Sequence, residues 1–212
     1  GTTGDDRVNI AGGGSITVSG GSDAVDSIVG SNNAVEIVTL AASAGSTVTV
    51  NMIDSVIGSA GSDVLRVGAG TISVSAIESV LGTTGVAEVV QLLDGGALAV
   101  SDIDSVIGGS ASTDELTLLS AGSVAISAID TVTGSTGADT LALLVGGTVE
   151  VSAIESVIGS AGSDDALVLS EAAADVRVSG VETVTGQSGG TDKVTMLAGG
   201  GLSVSDVASV VG

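Results

Sequence analysis

One six-residue line recurs along this chain: an apolar residue, an acid, Ser or Thr, Val or Ile, any residue, then Gly. It reads VDSIVG from Val25, IDSVIG from Ile53, IESVLG from Ile77, IDSVIG from Ile103, IDTVTG from Ile129, IESVIG from Ile154 and VETVTG from Val181. An eighth copy, VASVVG from Val207, lacks the acid. The spacings run from 24 to 28 residues and average 26. A period of that size marks units that cannot bury an apolar face alone and must stack on their neighbours.

Each repeat holds three short runs with β character. In the copy ending at Gly82 they are VLRV (64–67), TISVS (71–75) and AIESVL (76–81). Apolar and polar residues alternate, β-branched side chains dominate, and Gly-rich segments punctuate the runs. No stretch keeps a helical period. The expectation is an all-β chain, residues 1–212 forming one parallel β-solenoid of about eight 26-residue coils with three short strands per coil. At about 4.8 Å per rung, eight coils make a rod on the order of 38 Å long. Val56, Val80, Val106, Val132, Val157 and Val184 are then expected to form one stacked core column.

Composition agrees with a narrow core. The chain has no Phe, Tyr, Trp, His, Cys or Pro, and its apolar residues are almost all Val, Ile, Leu and Ala. Thin, repeated layers accept medium aliphatic side chains and would be distorted by bulky rings. Against 25 acids stand Arg7, Arg66, Arg177 and Lys193, for a net charge of -21. That balance argues against nucleic acid and against anionic lipid, since no basic stripe exists to meet phosphates. No apolar run reaches the roughly 18 residues of a membrane helix, so no membrane insertion is expected. Residues 1–20 have neither the basic start nor the apolar run of a signal peptide, and the first residue is Gly. A processed product or an excised segment is expected.

Stacking one line per coil would place Asp26, Asp54, Glu78, Asp104, Asp130, Glu155 and Glu182 one above another. Unit charges about 4.8 Å apart repel by roughly 0.9 kcal/mol per pair even at the dielectric of water, so either the side chains splay into a solvated, staggered ladder or cations bind along it. A second acid column is expected in the turns: Asp6, Asp63, Asp114, Asp139, Asp164 and Asp192 follow a Gly, or in one copy Ser112, two residues earlier. Two copies place Val35 and Ala87 near that position. Asp oxygens and turn carbonyls are ligands suited to Ca²⁺.

The turns GTTGDDRVN (1–9), GSAGSDVLR (58–66) and GSTGADTLA (134–142) resemble the nonapeptide of RTX, or haemolysin-type, calcium-binding proteins, without its second Gly. The likeness covers about a third of the chain, one motif per repeat, where that family uses two per coil with calcium between neighbouring turns. The resemblance implies a secreted bacterial protein ordered by extracellular Ca²⁺. The Gly/Ser/Thr/Val-rich array also looks like bacterial surface-layer, adhesin and matrix proteins.

No enzyme is expected, because His and Cys are absent and the carboxylates repeat evenly where an active site would break the pattern. An ice-binding face would need a regular Thr array, and TVTV (47–50) is its one clean instance. The expected role is structural: a secreted or cell-surface filament, surface-layer or matrix component, stabilised by calcium and stacking on itself head to tail. The alternative is a calcium-responsive stalk segment of a large secreted adhesin or toxin.

Overall fold

The computed structural model describes residues 5–19, 25–31, 34–41, 45–109, 113–162 and 164–212. They form 24 short strands and no helix. The first four repeats give β1 (Arg7–Asn9), β2 (Gly14–Val18), β3 (Ser27–Val29); β4 (Glu36–Leu40), β5 (Thr47–Asn51), β6 (Ser55–Ile57); β7 (Val64–Val67), β8 (Gly70–Ser75), β9 (Ser79–Leu81); β10 (Glu88–Leu92), β11 (Gly96–Ser101), β12 (Ser105–Ile107). The next four give β13 (Asp114–Leu118), β14 (Gly122–Ser127), β15 (Thr131–Thr133); β16 (Asp139–Leu143), β17 (Gly147–Ser152), β18 (Ser156–Ile158); β19 (Asp165–Leu169), β20 (Asp175–Ser179), β21 (Thr183–Thr185); β22 (Lys193–Met196), β23 (Ser203–Ser205), β24 (Ser209–Val211).

All odd-numbered strands make one 12-stranded parallel sheet and all even-numbered strands make a second. The fold is therefore the expected parallel β-solenoid, with three strands per sequence repeat. The coil count differs. Each turn of the chain visits the two sheets once, about 18 residues per turn over about 11 turns, so the 26-residue repeat is one and a half turns. Twelve strands at about 4.8 Å put the rod near 53 Å.

Threading a three-strand repeat onto a two-strand turn sends successive repeats to opposite sheets. The line strands β3, β9, β15 and β21 lie in the odd sheet, and β6, β12, β18 and β24 in the even one. The expected valine column thus splits. Val80, Val132 and Val184 belong to one sheet and Val56, Val106 and Val157 to the other, with two other strands between successive members. All six are nonetheless fully buried. In register they stack on valines, leucines and one isoleucine of the intervening strands, as Val56 does on Val74, Val132 on Leu116 and Val106 on Ile126.

Alternation decides which side chains go in. In β16 the pattern is buried, half-buried, buried, half-buried, buried, which puts Asp139, Leu141 and Leu143 inward. The two inner faces meet in a layer of Val, Leu and Ile running along the rod. Sheets packed about 10 Å apart leave room for one aliphatic side chain from each, which is why a core without a single ring is filled.

Candidate functional site

Each line from that of Gly30 to that of Gly186 ends on a Gly whose backbone lies against the next repeat. A Cβ on Gly58 would collide with the carbonyl oxygen of Ala76, and one on Gly134 with that of Ala153. Those carbonyls belong to the residue just before a line. That residue takes a left-handed conformation, with φ between 50° and 55° at Met52, Ala76, Asp102, Ala128, Ala153 and Asp206. The Gly of one line and the left-handed residue before the next form one close backbone packing, about 1–3 kcal/mol of strain per non-Gly residue held by the surrounding pairing.

The turn after that Gly closes on a carboxylate. Glu36, Asp63, Glu88, Asp114, Asp139, Asp165 and Asp192 occupy this place, and all are fully buried. Asp139 is the fullest instance. Its Oδ2 accepts the Ser135 N–H at 2.6 Å and the Ser135 hydroxyl at 2.9 Å, and its Oδ1 accepts the Gly122 N–H at 3.1 Å. Asp63 repeats this with the Ser59 N–H and hydroxyl and the Ser46 N–H. Asp165 takes the Ser160 N–H at 2.7 Å, and Asp192 accepts N–H groups of Gln187 and Ala174.

The acids of the repeated line sit outside this turn and hold its far side. Glu155 accepts the backbone N–H of Asp139 at 2.7 Å, and Asp139 returns its carbonyl to the N–H of Glu155. Asp26 holds Asp6, Glu78 holds Asp63, Asp130 holds Asp114 and Glu182 holds Asp165 in the same way. Asp54 and Asp104 hold Glu36 and Glu88. Except for half-buried Glu155, the line acids are exposed.

The expected single ladder is therefore two staggered rows. Asp26, Glu78, Asp130 and Glu182 precede strands of the odd sheet, and Asp54, Asp104 and Glu155 precede strands of the even one. Successive line acids of one row are three rungs, about 14 Å, apart, beyond a Debye length at physiological salt. The repulsion that favoured a cation between stacked line acids is not present in this arrangement.

The turn column also differs in membership. Asp164 is exposed and its neighbour Asp165 takes the buried place. The two repeats with Val35 and Ala87 carry the acid one residue on, as Glu36 and Glu88. Asp63, Asp114, Asp139 and Asp192 stand where expected, and Asp6 is half-buried. The missed members were legible as a run of acids at 6, 36, 63, 88, 114, 139, 165 and 192, at intervals of 25 to 30 residues.

These turns do not fit a cation cage. Each brings one carboxylate to backbone N–H groups, an arrangement that favours an anion, and the chain supplies that anion itself. Among the described residues no three acidic side chains gather to hold a metal. The carboxylates are not equally served. Among the described residues Glu36 Oε2, Glu88 Oε2 and Asp114 Oδ1 are buried without a hydrogen-bond partner. Burial pushes the Glu88 carboxyl above its ordinary range; the Thr83 N–H opposes this, and the charges of Asp104 and Asp102 add to it. Burial likewise raises Asp114, against the Gly109 N–H and with Asp130.

No family model, no curated protein and no solved structure matches this chain.

Proposed function

We propose that this protein is a structural rod that extends by adding rungs, its own copies stacking head to tail. The observation that carries the reading is that each of the two 12-stranded sheets adds one parallel rung of like chemistry after another, so that every rung is a template for the next. One rung covers another completely: Val184 and Val194 are fully buried beneath β23 and β24. Unpaired strand N–H and C=O groups and bare aliphatic side chains template another strand of the same kind. The supported setting is extracellular, as filament, surface-layer or matrix material, through the likeness of the Gly-x-x-Gly-x-Asp turns to secreted bacterial repeats. Calcium enters as a counterion of the exposed line acids, easing the approach of two rods of net charge -21, and not as a ligand of the buried turn acids. A stalk in a longer chain would cover β23 and β24 with its next repeat.

Electron microscopy of the 212-residue chain separates the two readings. Filaments with a subunit repeat of roughly 58 Å, twelve rungs at the strand spacing, lost in Val204→Lys/Val210→Lys, are the expected result. Single rods of unchanged length in salt and in calcium would favour the stalk.

A further inference from the structure

The two broad faces of the rod differ. At the outward position closing each line strand, the odd sheet carries Val29, Leu81, Thr133 and Thr185. The even sheet carries Ile57, Ile107, Ile158 and Val211. Ile57, Ile158 and Val211 are 38, 46 and 46% exposed. The fold does not require this, since the pseudo-equivalent position accepts Thr in the odd sheet. Isoleucine thus recurs at every second repeat and builds a row on the even face, its members about 14 Å apart by the rung spacing, while the odd face has Val29 and Leu81 and then Thr133 and Thr185.

Neither broad face carries the bulk of the charge. Among the described residues only Glu115, Glu150 and Asp175 are acids on outward strand positions, while all four basic residues lie on them. On the even face the charges are Asp175, Arg177 and Lys193, of which Asp175 and Lys193 pair at 3.1 Å. On the odd face Arg7 and Arg66 balance Glu115 and Glu150, so the large negative charge sits along the turns and both faces are close to neutral.

We propose that the even-sheet face is a lateral docking surface for the same face of a second copy. Twelve rungs by strands of about 16 Å present roughly 850 Å², matching the ~800 Å² per partner of a stable complex. A two-fold axis lying in the interface and perpendicular to the rod makes the contact self-complementary. With that axis at mid-rod, the strands of Ile107 and Ile158 face the Ser, Thr and Ala of β14 and β8, and the strand of Ile57 faces β20. The acid edges stay in solvent and oppose the contact, so it strengthens with salt.

The experiment compares the full chain with Ile57→Thr/Ile107→Thr/Ile158→Thr, which copies Thr133 and Thr185 of the other face and so preserves the fold, checked by circular dichroism. Both carry Val204→Lys/Val210→Lys to block end stacking. Sedimentation at raised salt is expected to give a dimer for the parent and at least about tenfold weaker association for the triple variant, with Leu81→Thr on the opposite face unchanged. Separately, Ile107→Cys, in a chain without cysteine, is expected to crosslink to its copy through a short bis-maleimide. β12 lies about 29 Å from the last rung, so end stacking cannot produce that bond. A monomeric parent, equal masses for parent and triple variant, or the absence of a 107–107 crosslink overturns the proposal, whether or not rods add end to end.

Discussion

The turn closed by Asp139 and the turn closed by Glu88 occupy equivalent places three rungs apart in the even sheet. Both carboxylates are fully buried. Asp139 receives three donors on two oxygens. Glu88 receives the Thr83 N–H at 3.0 Å, while the Thr83 hydroxyl turns to the Val67 carbonyl, and Oε2 has no partner among the described residues. The same charge at the same place is in one turn the anion around which the backbone closes, and in the other a partly desolvated group displaced toward its neutral form. Repetition of a residue type fixes its position in such a rod, and the donors around it decide whether burial of the charge is compensated.

The largest expected difference is between isosteric amides. Asp139→Asn places an NH₂ against either the Gly122 N–H or the Ser135 donors, and is expected to cost about 2–4 kcal/mol. Glu88→Gln keeps an acceptor for Thr83 and removes the uncompensated charge, at under about 1 kcal/mol or with a gain. Equal losses in urea or thermal unfolding break the comparison. Next comes Ser135→Ala, which deletes one hydroxyl donor and should cost about 1 kcal/mol. Its reciprocal is Gly109→Ser, because Gly109 stands where the Asp139 turn has Ser135 and its N–H already reaches Asp114 at 2.8 Å. A Cβ on Gly109 meets nothing nearer than 3.6 Å, so the serine fits and is expected to stabilise by about 1 kcal/mol. No change in melting temperature would show that the hydroxyl does not reach the carboxylate.

The smallest effect expected is that of pH, since it rests on two carboxyls. Glu88 and Asp114 are raised in the folded state, so on acidification the fold takes up their protons before the unfolded chain does. Stability therefore increases as pH falls through their raised values, and this gain is complete below the ordinary values of 4.5 and 3.8. Glu88→Gln should flatten part of that rise in a melting-temperature profile, and Asp139→Asn should not remove it. A profile unaltered by Glu88→Gln would show that other carboxyls carry it.

Much of the fold was legible because stacked strands repeat local chemistry. Alternating Val, Ile, Leu and Thr marked the strands, and the 26-residue interval marked the unit. The acid interval extended to Glu36, Glu88 and Asp165, but attention to a Gly-x-Asp pattern placed the last of these at Asp164. The left-handed residues gave little signal, since Met52, Ala76 and Asp102 share no chemistry; their conformation comes from the carbonyl each presses on a glycine of the preceding line.

By itself the sequence determined that this is a parallel, all-β stack, that its core is thin and aliphatic, and that acids recur at the interval of the repeat. Those properties depend on side-chain type and spacing along the chain. The tertiary structure decided how many strands complete a turn, and with that the neighbours of every repeated residue. Three strands per repeat on two strands per turn cannot be read from periodicity, because a repeat of one turn and a repeat of one and a half have the same interval. That ratio split the valine column between two sheets, spread the line acids to about 14 Å, and gathered alternate isoleucines on one face.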